Sequence, residues 1–496
     1  MPFSVVYPLV ASAASALLLT VYCRLNGKSL ARIPRRVLDL SPVRWDAKDF
    51  EAVKNKLDDY PVDIQQYLPP KTGRRYIVVG GSGFLGGWII IHLLKRGELP
   101  SNIRIIDLHP PSRYDFASGP AKEVQFIQTD IASAEQVEAA FKAPWPLSTS
   151  SNSEITVFHC AAIIRFYERH PSLLPLSEIN FIGTEHVLKA SFAAGGSILV
   201  FTSSGSVAQR RTRLLLIPWV EKEPENFVQV LGDQEPSELP KSVDGFCCCY
   251  AHTKLRSESL IRASDNSPSG PSGETTLRTG CIRPANAIYG PGADLYEYFL
   301  AQGKNNVSFF QNMMTANVYV ENCSLAHLCY EQRLIELSSN ESRHPDIGGQ
   351  VFTVTDPSPP ILFSDIYAAL THFSDGAYGY HVLPPTPILL ISYLVEQYYL
   401  TRHALCTSRS SILLYLGKIL PPLRGDLLAL QPATVSLSHA HLIADDSRAR
   451  LAPMQGGLGY VAPWNALEGL YKSTQYYLEQ GSLRPASARK GFGHGK

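Results

Sequence analysis

Tyr76-Ile77-Val78-Val79-Gly80-Gly81-Ser82-Gly83-Phe84-Leu85-Gly86 is the stretch on which the reading of this chain turns. Tyr76 to Val79 is a short apolar run with the length and β-branched content of a buried strand. Gly80, Gly83 and Gly86 follow at even spacing. Phe84 and Leu85 then open an apolar stretch that continues through Trp88-Ile89-Ile90-Ile91 to Leu93-Leu94. Strand, glycine turn and helix in that order are the context of a dinucleotide fingerprint. Gly80 permits the sharp turn, Gly83 lets backbone N–H groups approach a pyrophosphate, and Gly86 lets the helix pack closely on the strand. The helix N-terminus supplies partial positive charge for the phosphates. The spacing is Gly-x-x-Gly-x-x-Gly rather than Gly-x-Gly-x-x-Gly, and a tight turn without a ligand is the competing reading of these residues alone.

With 496 residues the chain can hold two or three average domains, or one large domain with additions. Charged residues make up 18% and hydrophobic ones 45%, a balance that argues against a disordered chain. A net charge of +1 leaves no electrostatic case for nucleic acid. The nine cysteines, Cys247-Cys248-Cys249 among them, show no paired spacing. Reduced thiols in a cytosol-facing protein are therefore expected, and no Cys/His cluster suggests a metal.

Val5 to Cys23 carries no charge and is about the length that crosses a bilayer. Arg24, Lys28, Arg32, Arg35 and Arg36 follow it. The positive-inside bias then predicts a transmembrane anchor over 1–23, with the rest of the chain on the cytoplasmic side. A cleaved signal and a buried N-terminal helix are the alternatives. Residues 24–73 read as a linker with local helix, and the next domain is expected to start at Arg74.

Ile103 to Asp107 reads as a second strand ending in an acid. Asp107 stands where a carboxylate accepts hydrogen bonds from the adenosine ribose, which favours NAD over NADP; nearby Arg113 is the counter-signal, since an arginine can receive a 2′-phosphate. Val124 to Gln128 is a third strand, followed by Asp130 and Ile131, where adenine is contacted in such folds. Asp130 is equally a candidate N-cap for a helix around Ala134–Phe141. Leu147 to Ser153 is a surface loop. A fourth strand, Ile155 to Phe158, runs into His159-Cys160-Ala161-Ala162, and the small Ala161 and Ala162 let a cofactor lie over the strand end. His159 alone reads as a structural histidine. A fifth strand, Ser197 to Phe201, leads into Thr202-Ser203-Ser204-Gly205-Ser206.

Tyr250-Ala251-His252-Thr253-Lys254 begins a helical segment, and residues four apart on a helix share a face. An ammonium beside a phenol favours the phenolate, which would make Tyr250 a general base for an alcohol proton.

Several stretches together resemble the extended short-chain dehydrogenase/reductases, more narrowly the 3β-hydroxysteroid dehydrogenase branch with its sterol-4α-carboxylate 3-dehydrogenases (decarboxylating). They are Val79 to Gly86, Phe158 to Ala162, Asn180 to Thr184, Phe201 to Ser204, Tyr250 to Lys254, Arg283 to Gly292, Val318 to Asn322 with Ala326 to Leu328, and Leu458 to Pro463. The resemblance covers roughly residues 74–475. It implies that Tyr250 is the catalytic base, that Lys254 binds the nicotinamide ribose and holds Tyr250 ionised, and that Ser204 bonds the substrate oxygen. It further implies that Pro284 follows the sixth strand near the nicotinamide end, and that Asn180 is structural.

The connection between Ser204 and Tyr250 is longer than in most such proteins; it holds Arg210-Arg211-Thr212-Arg213 and Glu221 to Glu225, and reads as a substrate-side insertion or a surface loop. Gln311 to Thr315 stands where relatives carry a Gly-Asp-Gly-type turn. Pro384 to Leu400 and Ser411 to Leu423 are apolar but too short or too charged to span a bilayer, so they read as core helices or as amphipathic helices on a membrane.

The expected architecture is α/β: a Rossmann-type doubly wound parallel sheet over 74–290, a smaller substrate-binding lobe over 291–480 interleaved with it, and a tail over 481–496. The expected activity is NAD-dependent oxidation of a 3β-hydroxyl on a sterol or triterpenoid, with decarboxylation where C4 bears a carboxylate. A single-pass endoplasmic reticulum protein and a homodimer are family expectations. A reductase or epimerase of the same superfamily, and a non-catalytic dinucleotide-binding scaffold, are the competing readings.

Overall fold

The computed structural model describes residues 3–42, 44–146, 154–217, 219–292, 295–338 and 342–481. The loop expected over 147–153 and residues 482–496 of the expected tail lie outside them. The strands used below are β1 (Arg75–Val79), β2 (Ile103–Asp107), β3 (Gln125–Gln128), β4 (Ile155–His159), β5 (Gly196–Thr202), β6 (Val228–Leu231), β7 (Ser267–Ser269), β8 (Thr275–Pro284), β9 (Val351–Val354) and β10 (His441–Ala444). The helices used below are α1 (Phe3–Leu30), α2 (Ala47–Asp59), α3 (Phe84–Lys95), α4 (Ala134–Lys142), α5 (Ile179–Ala193), α6 (Cys249–Ala263), α7 (Val320–Ser338), α8 (Phe363–Phe373), α9 (Pro385–Cys406), α10 (Ser411–Ile419) and α11 (Ala466–Gly481).

The main sheet runs β9-β8-β5-β4-β1-β2-β3 with every pair parallel, and β7 adds antiparallel to β8. Strand order reverses between β1 and β4, which opens a crevice at their carboxyl ends. The strands read as unbroken apolar runs because both faces are covered. Tyr76 and Val78 pack with α3 and α7 on one face; Ile77 and Val79 pack with α4, α5 and α6 on the other.

The N-terminus departs from expectation. Residues Phe3–Leu30 form one helix, but among the described residues no helix is long and apolar enough to cross a membrane. The transmembrane anchor expected over 1–23 is corrected accordingly: Ala11-Ser12-Ala13-Ala14-Ser15-Ala16 dilutes the apolar character, and the helix continues past Cys23 into polar residues that bind the protein. Asn26 Nδ2 donates to Leu214 O at 3.2 Å and to Thr386 Oγ1 at 2.9 Å, while Asn26 Oδ1 accepts from Leu216 N at 3.0 Å. Leu30 is buried with Leu214, Leu389 and Val435. The earlier turns stay exposed, Leu18 at 70%.

The local helix expected within 24–73 is α2, closed at its start by a capping box between Asp46 and Asp49. It is docked rather than free: Lys56 pairs with Glu468 at 2.5 Å, Asp58 accepts from the Tyr471 hydroxyl at 2.7 Å, and Phe50 meets Phe373 edge to face. The long Ser204–Tyr250 connection is likewise built in, since its β6 pairs in parallel with β10 from near the C-terminus. A surface loop is the reading that fails there.

One fully buried ion pair ties the sheet to α6. Glu258 receives Arg283 Nη2 at 2.6 Å on one oxygen, and Arg283 Nε at 2.9 Å with the Ser203 hydroxyl at 2.6 Å on the other. Both side chains are wholly excluded from solvent. Removing one partner leaves the other charge buried and unpaired, so Glu258→Ala should lose about 3–5 kcal/mol of unfolding free energy. Urea denaturation checks this; a loss below about 1 kcal/mol, the value of an exposed pair, would contradict it.

Candidate active site

The glycine turn is shaped by contacts that no side chain could share. Gly80 has φ +84°, and a Cβ there would stand 2.6 Å from Ala161 N. A Cβ on Gly86 would fall 2.2 Å from Gly80 O. Gly83 is the exposed N-cap of α3, and a Cβ on it would meet only Gly80 O, at 3.2 Å. Gly80 and Gly86 are therefore required by packing, whereas Gly83 keeps the mouth of the turn open beside the free N–H groups of Phe84 and Leu85. The Leu85 side chain itself is core.

Asp107, at the end of β2, accepts from Ser82 N at 3.0 Å and from Leu108 N at 2.7 Å, which holds its carboxylate against the glycine turn. Arg113 is engaged elsewhere: its guanidinium grips Asp115 and lies over the Trp88 ring. Asp130 does not cap α4. Its carboxylate accepts from Ala132 N at 2.9 Å, and Ser133 is the N-cap, accepting from Gln136 N at 3.2 Å. The partly buried Ile131 packs where a Cβ on Gly183 would intrude at 2.6 Å. Ala161 N donates to Val79 O at 3.0 Å, and Ala162 follows it along the same edge. The carboxyl edge of β1–β4 thus brings Gly80, Gly83, Gly86, Asp107, Asp130, Ile131, Ala161 and Ala162 together, while Leu85 packs inward and Tyr250, Lys254 and Pro284 stand on α6 and β8; the open, N–H-lined turn with a carboxylate beside it fits a dinucleotide.

Lys254 is buried on α6. Its Nζ donates to Thr202 O at 2.5 Å and sits 4.0 Å above the Phe201 ring. Burial pulls the amine down to about 7. Ser204 Oγ lies 2.8 Å from Ser206 Oγ and also bonds the Tyr250 phenol. Burial pushes that phenol up, and the Ser204 bond only partly offsets the rise. This differs from the simple expectation of a phenol depressed by its neighbouring ammonium: burial is the larger effect on Tyr250, and the Lys254 Nζ is bonded to the Thr202 carbonyl. Pro284 ends β8, where a Cβ on Gly205 would stand 2.7 Å from Pro284 O.

The two halves of the site meet through Cys160. Its N–H donates to Val79 O at 2.8 Å, just before the glycine turn, and its Sγ lies 3.2 Å from Thr202 Oγ1, beside Lys254. Asn180 is structural as expected: its amide clamps both backbone groups of Ile163, at 2.7 and 3.0 Å. His159 is buried against Thr184 and Phe201, and burial holds it neutral, at about 3. The loop after β4 borders α6, since Cys249 N donates to Glu168 O at 2.7 Å. α9 covers that loop: Arg169 and Glu396 form a two-bond pair, and the Tyr399 hydroxyl donates to Glu168 at 2.7 Å.

Two further features were not foreseen. Asp356 gathers the motifs around Tyr289, Tyr319 and Asn322, accepting from the Tyr289 hydroxyl at 2.7 Å, Tyr319 N at 2.8 Å and Asn322 Nδ2 at 2.7 Å. Glu258 lies four residues after Lys254 on one helix face, a spacing visible in the sequence, though its partner Arg283 is not.

The Lys254 amine carries a pH signature. Its value falls from the ordinary 10.5 to about 7 on folding, so between those limits the unfolded chain holds a proton that the folded chain lacks. Stability from this group therefore rises as pH increases through that window and is lost as pH drops toward 7, with a slope of at most about 1.4 kcal/mol per pH unit. Thermal unfolding from about pH 7 to 8, below the usual thiol range, should show a steeper rise in wild type than in Lys254→Met; equal slopes refute the assignment.

Comparison with known proteins agrees with this geometry. Residues 77–378 match the 3-beta hydroxysteroid dehydrogenase/isomerase family. The chain is 28% identical over 296 residues to mouse 3 beta-hydroxysteroid dehydrogenase type 7, covering 58% of this chain and 70% of that protein. It is 28% identical over 342 residues to the Candida albicans decarboxylating sterol-4-alpha-carboxylate 3-dehydrogenase, covering 64% and 81%. It is 26% identical over 458 residues to an Arabidopsis thaliana 3beta-hydroxysteroid-dehydrogenase/decarboxylase, covering 86% and 67%. An epimerase from Methanothermobacter thermautotrophicus superposes with a TM-score of 0.52 at 15% identity, over 86% of this chain and 98% of that one, which is a likeness of fold. With the match spanning more than half its length, the chain belongs to the 3-beta hydroxysteroid dehydrogenase/isomerase family.

Proposed function

We propose that this protein oxidises the 3β-hydroxyl of a sterol or triterpenoid-like substrate with NAD. The observation that carries the reading is the convergence of Ser204, Tyr250 and Lys254 on the end of β5, joined through Cys160 to the glycine turn. NAD is favoured over NADP because the Asp107 carboxylate faces the turn, where it would repel a 2′-phosphate, and Arg113 is already paired with Asp115.

Bound NAD supplies the hydride acceptor. Ser204 donates a hydrogen bond to the substrate oxygen and fixes the carbinol beside Tyr250. Tyr250 takes the hydroxyl proton as the carbinol carbon gives up its hydride, leaving a ketone. Lys254 stands one helical turn from Tyr250, and its amine, near 7, would favour the phenolate when protonated and turned toward the phenol. Where C4 bears a carboxylate the ketone makes it a β-keto acid anion; the C–C bond then breaks with its electron pair moving onto the ketone oxygen, CO₂ leaves, and the enolate takes a proton at C4 from water to give the ketone.

A lipid substrate suits the surface beside the site. α10 turns Ile412 (74% exposed), Tyr415, Leu416 and Ile419 outward; α9 adds Leu394; α1 adds Leu17 and Leu18. α10 and α1 both pack on α9, which covers the loop bordering Tyr250. We place this face against the cytoplasmic side of an endoplasmic reticulum membrane, where Arg24, Lys28 and Arg32 meet anionic headgroups.

Tyr250→Phe should lower turnover by about 10²–10⁴-fold, the usual contribution of a positioned base, and leave dinucleotide affinity nearly unchanged. NADH absorbance across a sterol panel and NAD titration by fluorescence check the two parts; a fully active variant defeats the mechanism. The membrane placement has its own test. Full-length protein should float with vesicles containing phosphatidylserine, and deletion of residues 1–20 together with Ile412→Ser and Leu416→Ser should leave it unbound. Flotation that survives those changes removes the face assigned here.

A further inference from the structure

Thr202 is the residue on which the site is hung, and His327 is what holds Thr202. The Thr202 carbonyl receives Lys254 Nζ at 2.5 Å, and two residues later Ser204 bonds the Tyr250 phenol. The Thr202 hydroxyl lies 2.8 Å from His327 Nε2 and 3.2 Å from Cys160 Sγ. His327 sits in the middle of α7, wholly buried, and its Nδ1–H donates to Cys323 O at 2.8 Å, one turn earlier. A carbonyl can only accept, so Nδ1 carries the proton and Nε2 presents its lone pair to the Thr202 hydroxyl. Burial holds His327 near 4, so this tautomer is neutral and stays an acceptor across physiological pH.

The arrangement crosses the sheet. α7 packs on the face that carries α3, whereas α6, with Tyr250 and Lys254, lies on the opposite face. The end of β5 is the thin layer between them, and Thr202 bonds both ways, through its carbonyl to α6 and through its hydroxyl to α7. We propose that His327, acting through Thr202, is a positioning residue for the reaction: it fixes the peptide whose carbonyl holds the Lys254 amine at the end of β5, one helical turn from Tyr250 on α6. It touches neither the substrate nor the dinucleotide. This rests on the reading that Tyr250 and Lys254 turn over an alcohol.

The groups facing Lys254 are His159 and Cys160 from β4, Cys281 from β8, Tyr250 and Glu258 from α6, and His327 by way of Thr202. A carbonyl bond to an ammonium favours the charged form, so loosening the Thr202 peptide should lower the Lys254 pKa further.

The test uses Thr202→Val, His327→Leu, Thr202→Ser and the Val/Leu double variant of the full-length protein. ¹⁵N NMR of Lys254 Nζ, assigned with Lys254→Arg, reads the amine without any substrate. Thr202→Val and His327→Leu should each lower its pKa by about one unit or more, the size expected for a hydrogen bond to a charged group; Thr202→Ser, which keeps the hydroxyl, should restore it. With turnover, the same two variants should lower kcat by about tenfold or more with KM nearly unchanged and shift the acid limb of the kcat–pH profile, and the double variant should be no worse than either single one. An unmoved amine, or independent additive losses, overturns the proposal. Absence of turnover in wild type with a normally responsive amine counts against the alcohol-oxidation reading and leaves the positioning link standing.

Discussion

The approach that shapes the crevice is between two backbones. Gly80 directly follows β1, Ala161 lies two residues past β4, and the space between them is too small for a methyl group. The same turn lies under α3 at Gly86, where a Cβ would overlap Gly80 O. Parallel strands with helices on both faces must leave an opening where their order reverses, and that opening is useful only if the strand ends converge tightly. The glycines allow that convergence. Everything that faces the crevice, from the Asp107 carboxylate to Cys160, inherits its position from this contact.

Charge burial is the second constraint. The floor of the site holds an amine, a phenol, an imidazole and a thiol in a region where water does not screen them. Burial acts on each toward its neutral form: it lowers Lys254 to about 7 and His327 to about 4, and raises Cys160 to about 11. A base able to accept an alcohol proton needs the opposite for Tyr250, a stabilised anion. Within this cluster Lys254 is the group with a value near physiological pH, so it is the one whose charge a small rearrangement can change. The two side chains lie one helical turn apart, which makes a single rotation of the lysine enough to alter the phenol's surroundings.

How much of this was readable in advance follows the range of the interactions. The β1–turn–α3 unit and the Tyr250/Lys254 face are local: strand length, glycine spacing and helical period lie within about a dozen residues. They were legible, and so were the strands that alternate with helices to form the parallel sheet. Asp356, His327 and the Glu258–Arg283 pair were not, because each acquires its meaning from a residue tens to hundreds of positions away. The choice left open at Asp130 has the same root on a smaller scale. Asp130 and Ser133 are both good caps, and which one takes the role depends on where β3 releases the chain. The N-terminal helix shows the limit of composition: an uncharged stretch was read correctly as helix, but its alanines and serines, and the binding of Asn26 to the Leu214 segment, altered what that helix is.

The region around α9 is assembled on a different principle from the glycine-turn side, the former being the substrate side under the proposed function. The latter comes from consecutive units of one sheet. The former draws on α1, on the segment between Ser204 and Tyr250, on α9 and on β10, four pieces separated along the whole chain. Each piece alone is too short or too polar to build a core, and Asn26, which bonds both the Leu214 segment and Thr386 of α9, shows how they hold one another. Such a patchwork can change in composition without disturbing the glycine turn, because the contacts that define the turn belong to the sheet. Segments such as Arg210 to Arg213 and Gln311 to Thr315 lie outside the strands that form the turn. Under the proposed function, selectivity among bulky alcohols belongs to this patchwork and the hydride chemistry to the sheet.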